Sequence, residues 1–231
     1  MRRHWARICG LAVLVCGMCV ALKVVLAADV AQRRGSEPHA SYVLTCPEHD
    51  YMLRDFDTGK EEVASPDGEK RAVLAKNGSL VIFRGKREIG TVELPKISAD
   101  LVIVWAPDSQ GFAVTYSDGG SEGAFHGHVY GLAENRVIEL SKVATVAFDD
   151  FKKQYYCETR GNNEYVVGWG PESKTAFVVA QVFPTNDCGQ DFGRMGGYLM
   201  DLDGKILRRY DDKITERITS ACWKSGRASV R

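Results

Sequence analysis

The stretch Val104-Trp-Ala-Pro-Asp-Ser109, followed by Gly111-Phe-Ala-Val114, decides the fold because it occurs three times in varied form. Its counterparts are Val63-Ala-Ser-Pro-Asp-Gly68 ahead of Arg71-Ala-Val-Leu74, and Gly168-Trp-Gly-Pro-Glu-Ser173 ahead of Thr175-Ala-Phe-Val-Val179. Each reads as a strand ending in Trp or a small residue. Pro66, Pro107 or Pro171 then fixes φ at the first turn position, and an acidic residue with Gly or Ser completes the turn before a second strand leaves.

Two further strands follow each copy. Asn77-Gly78 between RAVLAK and SLVIFR predicts a type I′ hairpin, and Asp203-Gly204 plays the same part between Tyr198-Leu-Met-Asp-Leu202 and Lys205-Ile-Leu-Arg-Arg-Tyr210. In the middle copy HVYGL and RVIEL flank Ala133-Glu-Asn135. Four short strands per unit, at a period of roughly 40 residues, is the signature of a propeller blade. The segments SPDGEKRAVLA (65–75), WAPDSQGFAVTYSDGG (105–120), WGPESKTAFVVA (169–180) and YLMDLDGKI (198–206) resemble the WD-like repeat of the TolB-type β-propeller family. The resemblance covers roughly residues 60–210 and implies an all-β scaffold that binds partners through one face.

The expected fold is therefore all-β, a small or incomplete β-propeller of four-stranded antiparallel blades with one inserted short helix. Blades are expected at about 61–94, 100–140 and 164–210, in a domain over 41–224 that begins with a partial blade at 41–56. Residues 28–40 read as a flexible N-terminal segment and 225–231 as a tail. TolB-type propellers usually close with six blades, so this chain departs from the family. Pairing the partial blade with a strand over Ile214–Trp223 would complete a ring; otherwise the array is open or oligomeric. Pro66 and Pro107 lie 41 residues apart, Pro107 and Pro171 lie 64 apart, and the excess of some 23 residues falls around 141–163. There Ser141 is placed to cap a helix in which Ala144, Ala147 or Phe148, Phe151 and Tyr155 recur at helical intervals.

The chain has 231 residues with 30 basic and 30 acidic side chains, but Arg2, Arg3, Arg7 and Lys23 all precede the first acid, Asp29. From Ala28 onward there are 26 basic and 30 acidic residues, a balance that argues against a nucleic-acid partner. Basic residues in MRRHWAR, an apolar run from Ile8 to Leu22 and Val25-Leu-Ala27 ahead of Ala28 read as an export signal over 1–27. A membrane would be met only through this segment, if it is retained. The expected location is periplasmic or secreted.

Removing the signal takes away Cys9, Cys16 and Cys19 and leaves Cys46, Cys157, Cys188 and Cys222, an even set suited to two disulfides. Cys157 with Cys188 and Cys46 with Cys222 is the favoured connectivity, one of the three that four cysteines allow. It rests on the loop topology. In an up-and-down blade the turns alternate between two ends, so Ser117–Phe125, 141–163 and Phe183–Gly196, the elaborated segments, share one face.

That face carries the candidate binding residues Asp118, Glu122, Phe125, Asp149, Asp150, Tyr155, Tyr156, Asp187, Asp191, Phe192 and Arg194. Aromatic and arginine side chains are common interface anchors. His126-Gly127-His128 puts two imidazoles on one side of a strand, where a third group such as Asp118, Glu122 or Asp187 would complete a metal site. No GxSxG, HExxH, Walker or GxGxxG motif is present, and no cofactor is expected. The function that results is a scaffold binding a protein or envelope component without catalysis. The alternatives are a metal-dependent hydrolase on His126 and His128, and a carbohydrate-binding module. The ligand and the oligomeric state are left open.

Overall fold

Three antiparallel sheets follow one another along the chain in a computed structural model that describes residues 52–53, 62–94, 101–119, 123–134 and 136–227. A short strand β1 (Met52–Leu53) comes first, then β2 (Glu62–Ala64), β3 (Lys70–Leu74), β4 (Leu80–Arg84) and β5 (Arg87–Val92) form the first sheet in sequence order. The second sheet is β6 (Leu101–Trp105), β7 (Gly111–Ser117), β8 (Phe125–Ala133) and β9 (Arg136–Glu139). The third is β10 (Asn162–Trp169), β11 (Thr175–Val182), β12 (Met195–Asp201) and β13 (Ile206–Tyr210). These are the four-stranded units of a propeller-like, mostly β fold. Of the N-terminal partial blade only β1 is described; it pairs Met52 with Val102 and Leu53 with Leu101, adding a fifth strand to the second sheet.

Alternation along the strands explains how the sheets stack. Leu101, Ile103, Trp105, Phe112 and Val114 face the first sheet and pack with Val63, Ala72, Leu80 and Ile82. Val102, Val104, Ala113 and Val129 face the other way and pack with Val166, Trp169, Ala176 and Val178 of the third sheet. The second sheet is thus covered on both sides, which is why β6 and β7 are buried at every position.

The repeat signature does its work at these two seams. Trp105 Nε1 donates to the Val63 carbonyl (3.3 Å), and Trp169 Nε1 donates to the Val104 carbonyl (2.9 Å). The turns are stapled in the same register: the Asp67 amide donates to Ser109 Oγ (3.1 Å) and the Asp108 amide to Ser173 Oγ (3.0 Å). Both contacts span 42 residues at the first seam and 65 at the second. Ser109 and Ser173 reach across from a left-handed backbone (φ 59° and 58°), a conformation that Gly68 adopts in the first copy without a hydroxyl.

Asp67 also binds the side chains of Ser65 and Lys70 and the Glu69 amide. Its burial favours the neutral acid, but the hydrogen bonds from Ser65, Lys70 and Glu69 prevail and lower its pKa to about 2. A depressed carboxylate contributes stability above its unfolded value near 3.8 that is lost as pH falls through about 2. Urea midpoints measured between pH 5 and pH 2 should accordingly fall less steeply for Asp67→Asn than for the native chain.

Two helices complete the core. Helix α1 (Ser141–Lys152) buries Val143, Ala144, Ala147, Phe148 and Phe151 between the second and third sheets. Ser141 is its first residue and not its cap: Leu140 holds that position, with no side-chain bond to the helix end. Helix α2 (Asp212–Arg227) replaces the strand expected over Ile214–Trp223, so the described residues hold two α-helices where one was expected. Thr215, Ile218 and Cys222 recur at helical spacing, and Ile218 and Cys222 pack on Val167, Phe177 and Val179. Asp211 accepts the Ile214 amide (2.9 Å) and so caps the helix start. The expectation of a strand here comes from the ring closure usual in propellers and not from an alternation within the stretch, whose apolar residues are few.

Gly196 and Gly197 of β12 let a helix approach on each side. A Cβ on Gly196 would stand 2.8 Å from Phe151 Cδ2 of α1, and one on Gly197 2.7 Å from Thr215 Oγ1 of α2 and 2.8 Å from Phe177 Cζ. Gly197→Ala is expected to cost about 1–3 kcal/mol by overpacking. A chemical-denaturation curve showing no loss would mean that α2 does not press on this sheet.

The hairpins differ in detail from the type I′ form. Gly78 is left-handed (φ 90°) but Asn77 is not, and the Gly78 amide donates to Ala75 O, giving a three-residue loop with a bulge. Asn77 Oδ1 accepts the Ser79 amide (3.1 Å) and thereby stabilises that form.

Candidate functional site

The connections β7–β8, β9–α1–β10 and β11–β12 leave the sheets at one end, as alternating strand direction requires. Cys157 and Cys188 are joined by a disulfide with their Cα atoms 4.8 Å apart, which ties the segment after α1 to the β11–β12 loop. Cys222 of α2 is disulfide-bonded too, and its expected pairing with Cys46 lies outside the described residues. The β11–β12 loop contains a 3-10 turn, Asn186–Asp191.

Beside the Cys157–Cys188 bridge two aromatic side chains project into solvent: Tyr156 is 54% exposed and Phe192 53%. Asp187 and Arg194 are exposed as well, and Arg194 pairs with Asp191 (3.1 Å). Tyr155 is otherwise engaged. Its ring contacts Phe151, its hydroxyl accepts from Arg194 (3.1 Å), and the Arg194 guanidinium lies 4.8 Å from the ring centroid. The hydrogen bond to Tyr155 and the Asp191 charge favour the guanidinium cation.

Asp150 has a structural task. Arg209 of β13 grips its carboxylate with two bonds of 2.8 and 3.0 Å, fastening α1 to the outer strand of the third sheet. Hydrogen bonding to Arg209 pulls the Asp150 pKa down, against its burial. Burial first, and the Asp150 charge second, push the adjoining Tyr198 hydroxyl up to about 12. Asp149 stays exposed. Phe125 is half-buried against Tyr165, with ring centroids 5.2 Å apart, and its amide donates to Asn163 Oδ1 (3.2 Å). Glu122 lies outside the described residues.

The two histidines lie on β8, on the side that faces the first sheet, and each holds a different carboxylate. His126 Nε2 is 2.9 Å from Asp118 Oδ2, and His128 Nδ1 is 2.9 Å from Glu139 Oε1. Tyr116 on the neighbouring strand contacts both rings, tilted against His126 at 5.4 Å and stacked on His128 at 5.8 Å between centroids. Burial raises the Tyr116 pKa, helped by the charges of Asp118, Glu139 and Glu164. Among the described residues no three His, Cys, Asp or Glu side chains are grouped to hold a metal ion. The third ligand suggested from the sequence is therefore missing there: Asp118 acts as the partner of one imidazole. Glu139 was not singled out in the sequence, although its place opposite Tyr130 on β9 follows from the hairpin register.

No protein-family model matches this chain, and no curated protein matches it. Among solved structures 21 chains match. One is the crystal structure of the tricorn protease, at a TM-score of 0.36 and 12% identity over 69% of this chain and 16% of that one. The chain thus spans about a sixth of that protein's length.

Proposed function

We propose that the chain is an exported, propeller-like scaffold that binds a protein or cell-envelope component through the face bearing its disulfide-linked loops. One observation carries this reading: Tyr156 and Phe192 stand more than half exposed on two loops that Cys157 and Cys188 lock together. Large aromatic rings held rigidly in water lose little conformational entropy on binding and bury much apolar area. The TolB-type turn motifs support a partner-binding scaffold, and the basic-apolar segment over 1–27 together with the disulfide supports export.

The test is capture from an envelope extract, with the native chain beside a Tyr156→Ala/Phe192→Ala variant. Tyr155 is left intact because it packs on Phe151 and Arg194. Loss of a retained partner from a variant that melts like the native chain is the supporting result. Equal retention by both would place binding elsewhere. Export has its own check, N-terminal sequencing of the mature protein, with Ala28 as the expected first residue.

A carbohydrate ligand on the same face is the second reading, favoured by exposed Asn186, Asp187 and Gln190 in the same loop as Phe192. Glycan-array binding that depends on Phe192 would establish it. A hydrolytic centre on His126 and His128 has less support, because each imidazole faces its own carboxylate and no third ligand joins them among the described residues.

A further inference from the structure

We propose that His126 and His128 form a two-imidazole site that captures a divalent transition-metal ion, with Asp118 and Glu139 as the positioning residues behind them. The site is separate from the Tyr156 and Phe192 surface and does not rest on it.

The inference starts from how the two rings are held. A histidine that ligates a metal ordinarily donates its other ring nitrogen to a carboxylate or carbonyl, which fixes the tautomer and raises the basicity of the ligating nitrogen. Both histidines here have that partner. Asp118 takes Nε2 of His126 and leaves Nδ1, while Glu139 takes Nδ1 of His128 and leaves Nε2. The carboxylates thus leave one ring nitrogen on each imidazole for a metal ion.

Position supplies the second part. Residues two apart on a strand project to the same side, with Cα atoms roughly 6.5 Å apart. Imidazoles leaning toward each other from that spacing reach one ion at bond lengths of about 2.0 Å. His126 and His128 occupy such positions, with side chains 35% and 34% exposed, so an ion reaches them from solvent. Tyr116, itself buried, has its ring stacked on His128 and tilted by 35° against His126, so one aromatic neighbour touches both imidazoles.

Two protein ligands leave the remaining coordination positions to water, in keeping with the lack of a third grouped ligand among the described residues. Such a site binds reversibly and favours imidazole-seeking ions, Cu2+ above Zn2+ in affinity. The competing account is two independent surface contacts, each histidine with its own carboxylate, and the experiment separates the two.

The mature full chain is titrated with Cu2+ and followed by electron paramagnetic resonance, which reports the number of coordinated nitrogens. His39 and His49 are controlled for by the His126→Ala/His128→Ala double variant as background. The expected result is one ion above background with two imidazole nitrogens, at least tenfold weaker binding in either single variant, and about 10- to 100-fold weaker binding in Asp118→Asn and Glu139→Gln. Unchanged thermal melting of the variants keeps the loss from being one of folding. Native binding equal to the double-variant background, or single variants that bind as the native chain does, would overturn the proposal.

Discussion

Replacing Trp169 with Ala should lower the unfolding free energy by about 3–5 kcal/mol, the largest effect expected of any single substitution in this chain. Trp169 is 1% exposed, and its loss removes both a volume the neighbouring sheets cannot fill and the donor to the Val104 carbonyl. That carbonyl keeps its ladder partner Ala113 on β7, so loss of the indole donor adds only the net worth of one hydrogen bond, about 0.5–1.5 kcal/mol, to the cost of the cavity. Trp169→Phe separates the two contributions, since it keeps most of the ring and deletes the donor. The account requires Phe to fall between Trp and Ala in urea melts. Equal stability of Trp169→Ala and the native chain would mean that the repeat tryptophan does not join the second and third sheets.

The second large effect concerns the loops. Cys157 and Cys188 are 31 residues apart, and a link of that length stabilises by about 3.7 kcal/mol through restriction of the unfolded chain. Changing both to Ser should lower stability by that order. It should also speed amide exchange over 153–161 and 183–194 while leaving β11, whose central residues are fully buried, protected. The two aromatics then lose their common support, and the proposed partner binding should weaken more than fold stability alone accounts for. Exchange that accelerates uniformly across the third sheet would show that the bridge supports the whole sheet rather than the two loops.

The parts of the fold written in local chemistry were legible from the sequence. Proline at the turn start, Trp or a small residue before it and alternating apolar residues after it identify the three sheets because each constraint acts within a dozen residues. The 23-residue excess between the second and third copies located α1 for the same reason. What escaped notice depends on contacts distant in sequence. Ile214–Trp223 has too few apolar residues to declare a period, and its helix is fixed by docking on Phe177 and Val179 and by the room that Gly197 leaves.

Among the candidate site residues the same division holds. Tyr156 and Phe192 are exposed beside the bridge, whereas Tyr155, Phe125 and Asp150 are engaged by Arg194, Tyr165 and Arg209, partners that sequence reasoning had not paired with them. Residue type marks an aromatic or an acid as a candidate anchor. Whether it is free depends on what the chain folds against it.

The most direct measurement of the central claim is site-specific photo-cross-linking in the intact envelope. Photoreactive side chains are placed singly at Tyr156, Phe192, Ile138 and Leu207, all exposed in the free chain. The account predicts adducts with a common partner from positions 156 and 192 and none from the outer strands at 138 and 207. Adducts confined to 138 or 207, or the same yield from all four positions, would contradict a binding face built on the disulfide-linked loops.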